Sequence, residues 1–402
     1  METMSSRVGA RRAHADRSIR FSAAAGFAVV HLLALGVLVV GFSWKGVLLC
    51  VASYYLRMFA ITAGFHRYFA HRSYRLSRVP QFLLAFLGQT SAQKGVLWWA
   101  AHHRHHHKFS DLPQDLHSPV QDGFWWSHIG WILSGQYEET RLDLIPDFAK
   151  FPELRWLNRN QYAPVLLYAL ASWLFFGWTG FFWGFCLSTV LLWHGTFSIN
   201  SVMHVFGKRV FPTRDQSRNS MIFALVTMGE GWHNNHHYYP SSAAQGFVWW
   251  QVDLSFYLLW LLERARLVKG LRRAPSAAVT KVLDAARTSK SRLDAALDAA
   301  GENAADRIDR LSKRWDEIGE RARASAQEAL ADLEAARATA ALRVEALQEE
   351  YFAALDRAGA AAEKRLEELR VEIDRARLHL AETLDRLVAA AEERLGPLPT
   401  PA

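Results

Sequence analysis

The chain has 402 residues, 50% of them hydrophobic and 13% aromatic, with a formal net charge of +8 and a pI near 9.5. Length alone suggests two or three domains, and two lone cysteines, Cys50 and Cys186, exclude a disulfide framework or a cysteine-based zinc motif. The positive balance excludes less. In a soluble protein it would suit nucleic acid, but here the basic residues flank apolar runs, at Arg7, Arg11, Arg12, Arg17 and Arg20 and again at Arg264, Arg266, Lys269, Arg272 and Arg273, so membrane topology is expected and no nucleic-acid partner.

Residues 1–20 form a basic N-terminal segment for which no cleavable leader is expected. Phe21 to Phe42 is long and apolar enough to cross a bilayer core of about 30 Å. After Ser43 to Gly46, the run Val47 to Phe65 returns, with Arg57 as its one charge. The positive-inside rule puts the N-terminus and the stretch after Phe65 in the cytoplasm. Residues 79–101 are apolar but interrupted by Gln89, Thr90, Ser91, Gln93 and Lys94. Histidine clusters lie on both sides of this stretch, and shared binding requires one compartment, so it reads as a helix that does not span. A second hairpin is expected from Tyr162 to Phe176, a turn at Gly177 to Gly180, and Phe181 to Ile199. Residues 21–275 are thus an all-α, four-span integral membrane bundle with a cytoplasmic cap. Apolar residues then recur at three and four (Ile308, Leu311, Trp315, Ile318, Ala322; Leu366, Leu369, Ile373, Leu380, Leu384, Leu387), which predicts a coiled-coil-like helical extension over residues 276–395 and a short tail over 396–402. A partly disordered Ala-rich helix is the alternative.

The chain has 17 histidines, concentrated at His66–His71, His102–His107 and His233–His237. On a helix, residues three or four apart share a face, so His103, His106 and His107 are expected to point into one space, as are His233, His236 and His237. His66 and His71 are five apart, about 140° around an α-helix, and are expected to reach two neighbouring ions rather than one. Neutral imidazole suits iron, zinc, copper and nickel, and this many rings are too many for one ion. Iron follows from the setting: a redox-active pair beside apolar helices fits oxygen attack on a hydrocarbon. The carboxylate pattern of soluble di-iron bundles is missing, Glu230 being the acidic residue near the third cluster.

The motifs His66-x4-His71, His103-Arg104-x-His106-His107 and Gly229-Glu230-Gly231-Trp232-His233-Asn234-x-His236-His237, with Lys108–Asp111 and Ser127–Trp131, resemble those of membrane acyl-CoA desaturases of the stearoyl-CoA desaturase type over roughly residues 20–270. The resemblance implies two iron ions held by His66, His71, His103, His106, His107, His204, His233, His236 and His237, with Asn200 holding a metal-bound water; zinc could replace iron in a crystal. It implies a substrate tunnel kinked at Gln93, Trp99 and Thr196. Tyr54 and Met58 would close its end, or else simply pack the core. The implied activity is O2-dependent insertion of a cis double bond, Δ9-type, into a long-chain acyl-CoA or acyl-lipid. An external electron donor, a ferredoxin or a cytochrome b5-like protein, is needed, since no fused haem or iron–sulfur motif occurs. The active site would face the cytoplasm, in a bacterial inner membrane. His102 and His105 depart from the family pattern, and His102 could share the face of His106. The C-terminal extension has no counterpart in the pattern; self-association is its expected role. His117 and His128 are expected near the substrate headgroup, and His31 and His194 hydrogen-bonded between helices. A di-iron hydroxylase of fatty acyl or alkyl chains is the rival on the same scaffold, and a membrane scaffold with a vestigial site is the rival of another class.

Overall fold

A computed structural model describes residues 17–277 and 279–284, together with Ala331, Ala335, Thr339, Leu342, Ala346, Val371, Glu372 and Arg375. The chain divides into two compact units, residues 1–279 and 280–402. The expected coiled coil over 276–395 lies almost wholly outside the described residues. Among the described residues there is no strand, only isolated bridges.

The first apolar run forms helix α1 (Phe21–Ala34), continued after a turn by Val37–Val40. Helix α2 (Trp44–Phe59) starts where the Ser43 hydroxyl accepts the Gly46 amide at 3.0 Å, meeting one of the donors that every helix start leaves orphaned. Beyond Phe59 the helix widens into a π-helix, Ala60–Ala70. Helix α3 (Arg78–Gln89) has 12 residues, about 18 Å of helix, too short for a bilayer core. It ends in a break where Ala92 and Lys94 take positive φ, and helix α4 (Val96–Phe109) follows. The Gln89 side chain holds the break: its carbonyl accepts the Val96 amide at 3.1 Å and its NH2 donates to Leu157 O at 3.0 Å. The interrupted stretch is therefore two short helices joined at a break.

Helix α5 (Pro152–Arg159) leads to α6 (Tyr162–Thr179), a π-helical turn pair at Gly180–Leu187, and α7 (Ser188–Ser201). Three helical stretches, Phe21–Val40, Trp44–Ala70 and Tyr162–His204, are long and apolar enough to cross a membrane. The third folds back on itself. Gly177 takes φ 61°, ψ −154°, a backbone open to glycine, and the rings of Tyr168 and Phe185 meet at 6.3 Å. A straight helix would hold those residues about 25 Å apart. The Ser53 hydroxyl on α2 bonds both limbs, Tyr168 OH at 2.8 Å and Ser188 Oγ at 3.2 Å.

Buried Arg57 ties these parts together. It donates to Ser188 Oγ at 2.5 Å, Thr189 Oγ1 at 2.7 Å and Thr90 O at 3.2 Å, joining α2, α7 and the break after α3. The core beside the histidine clusters is built from Phe65, Phe69, Ala85, Leu97, Ala101, Leu154 and Leu157, all fully buried. Two further helices follow in the chain, α8 (His233–Tyr238) and α9 (Leu254–Arg264).

Candidate metal centre

The three histidine clusters and His204 converge on one place. Their ring nitrogens form two adjoining groups: His66, His71, His103, His107 and His236, and His106, His204, His233 and His237, each with ligand atoms within 4.8 Å of one another. The nine residues are those that the resemblance implies. The groups touch, the rings of His107 and His237 stacking at 4.3 Å.

Two expectations are corrected here. His66 and His71 belong to one group, with ring centroids 4.8 Å apart. The 140° separation assumed an α-helix. Between them the backbone is π-helical, and the His71 amide donates to His66 O at 3.1 Å, five residues back. A turn closed at five brings residues five apart onto one face. Nor does each cluster point into one space. His103 and His107 enter the first group and His106 the second; His236 enters the first, His233 and His237 the second. The second and third motifs thus each contribute to both groups, and the first motif to one.

The donors fit a pair of metal ions. The Nε2 atoms of His66 and His236, of His71 and His103, and of His107 and His236 are 2.9 Å apart, and those of His204 and His233 are 3.0 Å apart. Neighbouring imidazole nitrogens on one ion, with bonds of about 2.1 Å, lie roughly 3 Å apart. The buried Nε2 atoms of His106 and His237 have no hydrogen-bond partner among the described residues, a costly arrangement unless a metal takes them.

Carboxylates behind the rings set their tautomers. Asp115 accepts from Nδ1 of His106 at 2.9 Å, Asp111 from His204 at 2.8 Å, Asp215 from His237 at 2.7 Å, and Glu230 from His66 at 2.5 Å. With Nδ1 carrying the proton, the Nε2 lone pair faces the centre. Burial first, and then the neighbouring imidazoles, holds His71, His103, His107, His233 and His236 well below the usual histidine range, so they are neutral and ready to ligate. For His106, burial works the same way, but the carboxylates of Asp115, Asp111 and Asp215 together outweigh it and raise the ring's pKa. Burial would raise Asp115 and Asp215; the His106 and His237 rings beside them hold both carboxyls below their usual range.

The other residues of the motifs are scaffold. Arg104 donates to Phe69 O and Ala70 O, at 2.8 and 2.9 Å, at the end of the π-helix, and pairs with Asp147 through both guanidinium nitrogens. Asn234 receives the Val210 and Phe211 amides, and Asn235 donates to Gln245 O and Gln251 Oε1, turning α8 so that its histidines face inward. Arg67, fully buried, pairs with Glu230 and Asp253 at 3.1 and 2.9 Å. His102 and His105 stay outside both groups: His102 stacks on Trp98 and bonds its carbonyl, and His105 bonds Gln114 O. His117 stacks on His106 at 4.4 Å. His31, His194 and His128 join in a chain ending at Ser201 Oγ, so His128 sits between helices.

A cavity of about 470 Å³ leads to the centre. Gln93, Trp99, His103, Thr196 and Asn200 line it with Phe27, Val30, Trp193 and Phe197. Gln93 donates to Thr196 Oγ1 at 3.0 Å, and Trp99 stacks on His103 at 5.0 Å. Tyr54 and Met58 lie behind the lining, buried with Leu192 and against Trp193 and Phe197 of the cavity wall. Reading the sequence missed Asp115 and Asp215. Asp111 lies within a quoted motif, whereas Asp215 stands 22 positions from its partner and has no local signal.

The fatty acid desaturase family model matches residues 42–260. The chain belongs to the fatty acid desaturase family. It is 37% identical over 235 residues to the acyl-CoA C20 Delta5-desaturase of Anemone leveillei, covering 58% of this chain and 75% of that one. It is 36% identical over 260 residues to the sn-2 palmitoyl-lipid 9-desaturase of Nostoc sp. (strain 36), covering 63% and 90%. It is 36% identical over 261 residues to the sn-1 stearoyl-lipid 9-desaturase of Synechocystis sp. (strain ATCC 27184 / PCC 6803 / Kazusa), covering 63% and 80%. The matched span of this desaturase contains all nine clustered histidines, and its apolar helices are those of a membrane protein.

Proposed function

We propose that this desaturase is a four-span membrane enzyme that uses O2 to put a cis double bond, at the Δ9 position, into a saturated long-chain acyl group at a two-iron centre on the cytoplasmic face. The observation that carries the reading is the gathering of nine buried imidazoles into adjoining groups of five and four beside an apolar cavity. His66, His71, His103, His107 and His236 would hold one ion and His106, His204, His233 and His237 the other, and Asn200, in the cavity lining, would hold a metal-bound water. Two relatives named as 9-desaturases support the position of the double bond. The fold-back at Gly177 supports the fourth span.

Iron, with O2, supplies the oxidising power to take hydrogen from an unactivated methylene. The chain does the rest. Asp111, Asp115, Asp215 and Glu230 hold the Nδ1 protons and aim the rings. Phe27, Val30, Trp193 and Phe197 exclude water, and the Gln93–Thr196 bond bends the acyl chain towards the centre. Overall, the methylene pair loses two hydrogens, and these with two electrons and two protons from outside reduce O2 to two waters. The electrons come from a separate ferredoxin or cytochrome b5-like donor.

The test is metal content. Reconstituted protein should hold about two iron ions per chain, as for a dinuclear site, and His106→Ala or His236→Ala should lower that number and abolish turnover. His105→Ala, outside both groups, should leave both nearly unchanged. Full iron and activity in His106→Ala and His236→Ala would remove those residues from the ligand set.

A further inference from the structure

Arg57 is a charged side chain that the metal chemistry leaves unused. It lies midway along the apolar stretch Trp44–Ala70 and is fully buried. Its hydrogen-bond partners are neutral: Thr189 Oγ1 at 2.7 Å, Ser188 Oγ at 2.5 Å, Thr90 O at 3.2 Å and Ser53 O at 3.3 Å. The Tyr168 ring lies 5.0 Å from the guanidinium. Keeping a guanidinium out of water on neutral partners is costly, and a well-packed apolar side chain would avoid that cost. An ionisable group inside a span therefore points to the site rather than to packing.

What Arg57 grips are two walls of the cavity. Ser188 donates to Gly184 O and Thr189 to Phe185 O, both at 2.6 Å, so the lone pairs of both hydroxyls are left for the guanidinium. That fixes the start of α7. A single nitrogen, Nη1, bonds both Thr189 Oγ1 and Thr90 O, so the same group holds the break after α3. The Trp193 indole, also on α7, holds the next carbonyl, Ser91 O, at 2.9 Å. The residues that follow, Ala92, Gln93 and Lys94, line the cavity, with positive φ at Ala92 and Lys94. Gln93 reaches Thr196, which stands about two turns beyond Thr189 on α7, near the same face. Further along, α7 carries Asn200 and leads to His204.

Resting on the desaturase reading, we propose that Arg57 is a positioning residue that sets where along the acyl chain the double bond falls. It acts through the walls, lying behind the lining itself. By clamping the break to α7 it fixes Gln93, at the bend, against Asn200 and His204 at the centre, so that one methylene pair stands before the metals. A looser clamp lets the chain slip along its own axis and offers neighbouring methylenes as well.

The test uses full-length, iron-loaded protein with a reducing donor and O2. Deuterated palmitoyl groups are offered both as vesicle phosphatidylcholine and as the CoA thioester, and mass spectrometry reads the double-bond positions. Arg57→Lys keeps the charge, but an amine lacks the fork that spans Ser188, Thr189 and Thr90 O together. The share of neighbouring positional isomers should rise about tenfold, with iron content equal to that of the unmodified protein. Thr189→Val keeps the shape and removes one acceptor, and should raise that share by about threefold. A merely structural role would lower the yield of every isomer together and leave their shares alone. Product from Arg57→Lys with unchanged isomer shares overturns the inference and leaves the desaturase reading standing. If Arg57→Lys makes no product, unchanged shares in Thr189→Val overturn it likewise. Alkene from none of the proteins, the unmodified one included, overturns both.

Discussion

At the scale of single residues, the behaviour of the centre depends on groups one bond removed from it. Asp115 is buried, accepts from the Nδ1 of His106 and also receives the Asp111 amide at 2.8 Å. Its charge selects the His106 tautomer whose Nε2 is free for metal. Asp115→Asn keeps the size and removes the charge, so metal affinity should fall by about 10–100-fold while the helical fold persists. Metal titration followed by circular dichroism checks both parts; unchanged affinity would show that the ring is held by packing alone. Eight of the nine gathered histidines stand out in the sequence as clusters, whereas His204 is marked only by the resemblance. Their carboxylate partners do not stand out in this way. Asp215 reaches His237 through a loop from 22 positions away, and no local pattern marks such a pair.

At the scale of elements, the π-helix Ala60–Ala70 decides the geometry of the first group. The spacing of His66 and His71 was plain, but its meaning depended on the turn between them, and an α-helical reading sent them to different ions. No composition rule marks a π-helix; it is held by what surrounds it. Arg104 bonds its last carbonyls, and Arg67 within it joins Glu230 and Asp253. Both carboxylates are buried. Arg67→Leu would leave them without their cation and should cost about 3–5 kcal/mol of stability, with loss of the ordered centre. Thermal unfolding in detergent is the measurement; a melting temperature equal to that of the unmodified protein would contradict this role. By contrast, the hairpin at Gly177 and the break after Gln89 were legible, since glycine and a polar run inside apolar sequence each carry a backbone reason.

At the scale of the whole molecule, composition divides the chain into an aromatic-rich region and an Ala-rich one. All nine clustered histidines and the cavity lie before residue 240. A chain ending near Ala274 should therefore fold, bind iron and turn over with a suitable donor, and lose only association through the remaining segment. Iron content, turnover and mass in detergent of the shortened and full chains check this; loss of iron on truncation would make the C-terminal segment part of the catalytic fold. The cavity was only partly legible. Gln93, Trp99 and Thr196 were found from the resemblance, but the apolar wall at Phe27, Val30 and Trp193 depends on tertiary packing that no motif encodes. The central claim is the reaction itself, and product analysis tests it most directly. Purified, iron-loaded protein supplied with a deuterated saturated acyl substrate, a reducing donor and O2 should give a cis alkene that has lost two deuterium atoms, read by mass spectrometry. A hydroxylated chain of unchanged saturation would contradict it and make this centre a hydroxylase.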